Sequence, residues 1–199
     1  MLYEIAHFIK DKCRFLWDAV EWGNSFLFSL QHKNTLKEIP HLLQNISNDV
    51  FTIRVTENSD AIKLESFFSV QPKSAFEFFK PHDFDRETIQ KIIKNKAFLT
   101  FVVTVNDEIV GYFFLRSFIN GKCFRGKIVD KDWQGRGIAK LMGIAMTKVA
   151  ESLNLRMFGS ISPNNYASLA SAKASNDIKV YKTLENGYLY IEFLSKKTE

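Results

Sequence analysis

Cysteine is scarce in this 199-residue chain: only Cys13 and Cys123 occur, far apart and without the spacing of metal ligands. Two free thiols so placed suit a reducing compartment, and no metal centre is expected. No run approaches the about 18 apolar residues that a spanning helix needs, so no membrane span is expected. The first residues place Glu4 and His7 where a signal peptide would carry a basic stretch and an apolar run, so the protein is expected in the cytoplasm. Internal repeats and low-complexity segments are missing too. Clustered basic charge is also missing. The net charge is +5, yet the longest Lys/Arg run is Lys196-Lys197, which argues against nucleic acid as the partner. A mildly basic surface suits anionic ligands, although plain solvation accounts for it equally well.

What is present is an ordinary globular composition, 46% hydrophobic and 25% charged, with nineteen Phe that predict a broad aromatic core. The length supports one full core with an appendage. Residues 1–50 read as a helical extension: Ile5, Phe8, Ile9, Lys12, Phe15, Leu16 and Ala19 share one face, and Leu36, Ile39, Leu42, Leu43 and Ile46 continue the period around Pro40. Residues 51–199 read as a domain of about seven strands flanked by helices. Strands are predicted at 51–56, 98–105, 109–118, 123–130, 156–161, 178–184 and 188–194. Asn106-Asp107-Glu108 and Asn186-Gly187 mark hairpins. Asn58-Ser59-Asp60 offers N-cap chemistry for a helix through Leu64, Phe67 and Phe68, and Asp85 and Glu87 open another that runs to about Lys96. The fold class is α/β, a mixed sheet with helices on it.

The densest signal is Gln134-Gly135-Arg136-Gly137-Ile138-Ala139. It follows the strand residues Lys127-Ile128-Val129 and opens a helix whose Ile138, Leu141, Met142, Ala145, Val149 and Leu153 draw one apolar stripe. The first amides of such a helix have no intrahelical acceptors, and the helix dipole adds positive potential. Two glycines let an anion approach the backbone. The turn therefore predicts a phosphate-bearing ligand. It is neither a Gly-x-x-x-x-Gly-Lys-Ser/Thr loop nor a dinucleotide fingerprint, because the third glycine is missing.

The run Val129-Asp130-Lys131-Asp132-Trp133-Gln134-Gly135-Arg136-Gly137-Ile138-Ala139 resembles the acyl-CoA-binding motif of the GNAT superfamily of N-acyltransferases. Lys131 stands where proline is usual. The likeness covers residues 51–199 and implies a co-substrate, acetyl-CoA or another acyl-CoA. It also implies that the amides of Gln134, Gly135, Arg136, Gly137, Ile138 and Ala139 hold its pyrophosphate, with added charge from Arg136 and Lys140. By the same resemblance, Ile128 and Val129 pair with the pantetheine arm through their backbone, and an amide near Val129 polarises the thioester carbonyl. Asn165 is a further coenzyme contact, or simply a helix cap.

The resemblance also implies a tyrosine about seven residues after the Asn that opens the helix at about 165–174. Counting from Asn164 or Asn165 reaches Ser171 or Ala172 instead. Ser168 and Ser171 then stand as candidate acids for the departing thiolate, directly or through water; a solvated helix face is the plainer account of each. His82, in a Pro-His-Asp loop, is the first candidate base. Asp130, which can equally cap the next turn, is the second, and water alone is the third. The expected partner is a small-molecule primary amine. Phe79-Lys80-Pro81-His82-Asp83-Phe84 and the two-helix extension resemble bacterial members of that superfamily that acylate amino sugars for surface polysaccharides. This implies a nucleotide-linked amino sugar as one candidate, to which Trp17 or Trp22 would offer a stacking surface. Other small-molecule or protein amines are the alternative. A catalytically silent acyl-CoA-binding module is the reading from a different class. Residues 1–50 would suit a homodimer interface better than a membrane surface.

Overall fold

The computed structural model describes residues 14–196. The helical pattern over Ile5–Lys12 and Cys13 lies outside the described residues, as do the side chains of Phe15, Leu16 and Trp17. Helix α1 (Arg14–Gln31) and helix α2 (Lys33–Gln44) precede strand β1 (Thr52–Val55) and helix α3 (Asp60–Ser69). Helix α4 (Arg86–Lys94) leads to β2 (Phe98–Val105), β3 (Glu108–Phe118) and β4 (Lys122–Val129). Helix α5 (Ile138–Ser152), β5 (Arg156–Ile161), α6 (Tyr166–Ser175), β6 (Asp177–Thr183) and β7 (Leu189–Leu194) complete the order. The seven strands form one sheet in the order β1-β2-β3-β4-β5-β7-β6. All neighbours are antiparallel except β4 and β5.

Strands β2 and β3 are apolar along almost their whole length because both their faces are covered. Phe101, Val103, Phe113 and Leu115 face the core under α1, α2 and α5, where Phe28, Ile39 and Leu43 join them. Val102, Tyr112 and Phe114 face a second core under α3 and α4, built with Phe67, Phe68 and Phe79. The high phenylalanine content is spent mainly here, on offset and edge-to-face pairs such as Phe68–Tyr112 at 5.2 Å. Asn106 and Asp107 both take positive φ, 47° and 65°, as the tight hairpin between β2 and β3 requires.

At α3 the capping differs from expectation. The Ser59 side chain makes no cap bond. Asp60 instead accepts the Glu57 amide at 2.7 Å and the Arg54 guanidinium at 2.6 and 2.8 Å. A charged fork outcompetes a hydroxyl for this position. Asp85 caps α4 as its sequence position suggests, accepting from the Thr88 amide at 2.9 Å. Of the two tryptophans considered for stacking, Trp22 is 69% exposed and stacked on Phe26 at 5.5 Å. No helix among the described residues is long and apolar enough to cross a membrane.

Candidate active site

The site begins where two strands part. Strand β4 pairs with β5 only over Lys122–Phe124 and Arg156–Phe158. Beyond Gly159, β5 continues against β7 while β4 stays with β3. The Asp130 amide donates to the Val110 carbonyl at 2.9 Å. By strand alternation, the main-chain groups of Ile128 then turn to β3 and those of Lys127 and Val129 turn into the gap. The gap opens into a cavity of about 690 Å³, bounded by β4, the glycine turn, β5, α6 and the segment around Ser74–Phe79.

Glycine closes one side of it by conformation. Gly135 and Gly137 take φ of +76° and +83°, and Gly137 is the left-handed residue before α5. No side chain caps that end, and the first intrahelical bonds are made by Lys140 and Leu141 to the Gly137 carbonyl. The amides of Ile138 and Ala139 therefore lie beyond the reach of the helix's own acceptors. Gln134, Gly135, Gly137, Ile138, Ala139 and Lys140 all line the cavity. Arg136 points elsewhere. Its guanidinium stacks over Trp133 at 4.5 Å and donates to the Asp132 carbonyl at 3.3 Å.

The rest of the wall comes from Ile128 and Val129 on β4 and from Asn165, Ser168 and Ser171 around α6. Asn165 also caps α6, its side-chain oxygen accepting from the Ser168 amide at 3.0 Å. The structure does not bring His82 or Asp130 to this lining. The Asp130 carboxylate caps the Lys131–Trp133 turn through the Asp132 amide at 2.9 Å and accepts from Gln71 Nε2 at 2.8 Å. Gln71, buried at the end of α3, returns its own oxygen to the Lys131 amide at 3.0 Å. It thus clasps the turn that precedes the glycine segment to α3. Its role is invisible in a linear pattern, because its partners lie about 60 residues away.

His82 sits in the second core against Phe68, Phe84, Phe98 and Tyr112. Nδ1 lies 2.7 Å from the Asp83 carbonyl and Nε2 3.1 Å from the Tyr112 hydroxyl. A carbonyl can only accept, so Nδ1 carries the proton and Nε2 accepts from Tyr112. Burial pushes the imidazole below its ordinary value of 6.5, against the pull of Asp83 and Asp85. The unfolded chain then binds a proton that the folded one refuses, so stability falls as pH drops through about 6.5 toward the folded value. The urea midpoint of the wild type is expected to fall more steeply between pH 7.5 and pH 5 than that of His82→Phe. Parallel profiles would show that His82 is not held neutral.

Two cations that pattern reading passed over share this cavity. Arg125 and Lys127 both line it. They lie on the strand face of Cys123 and Val129, so the period-2 alternation of β4 alone marks them as inward-facing. Arg125 covers the Phe193 ring at 3.4 Å and donates to Asn176 Oδ1 at 2.8 Å. Lys127 Nζ donates to the Ala139 carbonyl at 2.6 Å and to Ser171 Oγ at 2.5 Å. Among the described residues, no His, Cys, Asp and Glu converge as a metal site.

The domain as a whole is similar to known proteins. Residues 46–167 match the profile of the acetyltransferase (GNAT) domain. No curated protein matches the sequence. Among solved structures, a GNAT-family acetyltransferase from Streptococcus pneumoniae is similar with a TM-score of 0.60 at 16% identity, over 73% of this chain and 99% of that one. The ribosomal-protein-S5-alanine acetyltransferase of Vibrio fischeri gives 0.59 at 17% identity, over 75% and 95%. AAC(6')-Ib in complex with paromomycin and acetyl-CoA gives 0.59 at 12% identity, over 74% and 94%.

Proposed function

This chain belongs to the GNAT family of acetyltransferases, and from that premise we propose that its acceptor is the primary amine of an amino sugar, a nucleotide-linked one first. The enzyme is an acyl-CoA-dependent N-acetyltransferase. The observation that carries the donor half of the proposal is the continuous path from the glycine turn to the parted strands. An anion on the amides of Ile138 and Ala139 leaves the cavity along β4 for a pantetheine arm. The gap-facing amides of Lys127 and Val129 then supply donors for the arm and for the thioester oxygen. Lys140 adds positive charge at the same mouth.

Catalysis on this reading is chiefly placement of a neutral amine against the thioester carbon. Neither His82 nor Asp130 opens on the cavity, which supports water as the acceptor of the amine's proton. The acceptor class rests on Phe78 and Phe79, which line the same cavity. Phe78 is 37% exposed, so its large apolar ring offers contact area to the apolar face of a sugar. The likeness to AAC(6')-Ib, whose solved complex holds paromomycin, adds aminoglycosides to the acceptor panel. The likeness to the S5-alanine acetyltransferase adds an N-terminal peptide.

Acetyl-CoA at 100 times its dissociation constant is expected to stabilise the fold by about 2.7 kcal/mol. A thermal-shift titration reads this, and no shift would overturn the donor reading. Thiol release is then compared for a nucleotide-linked amino sugar, an aminoglycoside and an alanine-terminated peptide. Release confined to the peptide would replace the amino-sugar reading, and silence with all three would favour a binding module.

A further inference from the structure

We propose that Lys127, acting through the Ser171 hydroxyl, supplies the proton that leaves with the coenzyme sulfur. The inference rests on the acyl-CoA reading of the cavity. Ser171 stands at one of the two positions where a tyrosine is expected and missing. Its hydroxyl accepts from Lys127 Nζ at 2.5 Å, which leaves the Ser171 proton free to point into the cavity that both residues line. Lys127 lies three residues beyond the last β4–β5 pair, at the throat where the strands part. Its own amide faces the same gap, so one residue presents a donor from its backbone and a cation from its side chain.

The surroundings of this cation favour a developing anion. From β4, Arg125 contributes a second positive charge. From α5 comes the Ala139 carbonyl, and α6 presents Ser171 and Ser175; β5 offers Gly159, which has no side chain. Helix α6 has no acidic residue, and α5 has none before Glu151. Among the described residues no carboxylate lies within ion-pair distance of Lys127 or Arg125. Half-buried cations without a counter-charge are costly to keep. The charge that would offset them is the one formed on sulfur as the carbon–sulfur bond breaks. Burial, with the nearby Arg125 charge, pushes the Lys127 ammonium down to about 7, a value suited to proton donation near neutrality.

The step balances. The amine nitrogen bonds to the acyl carbon, and the carbon–sulfur electron pair goes to sulfur. Sulfur takes the Ser171 proton, Ser171 takes one from Lys127, and the proton shed by the new amide nitrogen restores the ammonium through water. Sulfur and Ser171 are the atoms in contact, and Lys127 is the proton source behind them.

The first arm of the test uses coenzyme A itself as probe and needs no acceptor. Calorimetry measures its binding, and thiolate absorbance in the ultraviolet titrates the bound thiol. In the wild type the bound thiol is expected to be at least about tenfold more acidic than that of free CoA, which titrates near about 8.5. Lys127→Met should abolish the difference while CoA affinity stays within about threefold, a split that a merely structural lysine would not produce. Lys127→Arg keeps the charge but cannot shed its proton near neutrality. It should therefore retain most of the acidity difference yet lose most thiol release from acetyl-CoA with the amines of the acceptor panel. Ser171→Ala should reduce both. Thiol release unchanged in Lys127→Arg overturns the proton-source role. A bound thiol that titrates like free CoA in the wild type overturns the proposal, even if Lys127→Met fails to fold. So does a shift that survives Lys127→Met. If the wild type binds no CoA, the donor reading itself falls and takes this step with it.

Discussion

Replacing Gly137 by Val is expected to weaken acetyl-CoA binding by about a hundredfold, or about 2.7 kcal/mol. Two effects combine. The residue's φ is +83°, a conformation that costs an L-residue about 1–2 kcal/mol and a β-branched one more. A Cβ built there meets no atom within 4 Å, so the fold has room for it. That open space is where a phosphate would approach the Ile138 and Ala139 amides. Stability should therefore drop by little more than the backbone strain, while affinity drops further. Isothermal calorimetry alongside urea unfolding separates the two. A Gly137→Val variant that binds acetyl-CoA within about threefold of the wild type would remove the turn as the coenzyme cradle.

Gly143→Val is expected to destabilise the whole fold by about 3 kcal/mol or more. Here the obstacle is steric, with no strain in φ. A Cβ on Gly143 would collide with Ser175 Oγ and lie 2.6 Å from Ser175 Cβ. Ser175 is buried on α6, next to Asn176, whose Nδ2 donates to Thr147 Oγ1 at 2.6 Å and to the Leu194 carbonyl at 3.1 Å. The two helices cannot separate without breaking that network. Gly→Ala in a helix gains about 1 kcal/mol of propensity, and Val gains less. Overpacking costs about 1–3 kcal/mol, and Val adds two further methyl groups to the clash. The steric term wins. Because α6 carries Ser168 and Ser171, coenzyme binding should weaken as well. A urea midpoint equal to that of the wild type would show that α6 gives way freely.

Much of the fold was readable in the linear pattern. The apolar stripe from Ile138 to Leu153, the hairpins at Asn106-Asp107 and Asn186-Gly187 and the Asp85 cap all depend on neighbours within a few residues. Local geometry decides them, so local sequence carries them. The α3 cap was read differently because the competing partner, Arg54, lies on the preceding strand. The site divides along the same line. The glycine turn is a contiguous segment whose amides are positioned by its own dihedrals, and its neighbours in sequence suffice to find it.

The candidate catalytic groups depend on distance in space. His82 stands in a Pro-His-Asp loop, yet its imidazole is committed to Tyr112, 30 residues away, and to the Asp83 carbonyl. Asp130 stands next to the turn, yet its oxygens are taken by Asp132 and by Gln71. Lys127 looked like part of a strand, and only the meeting of β4, α5 and α6 sets its ammonium on Ser171, 44 residues later. By itself the sequence determined where an anion can be held, since a helix start and two positive-φ glycines are local features. Only the tertiary structure decided which side chains share that cavity, because burial and hydrogen-bond partners are set by elements far apart in the chain.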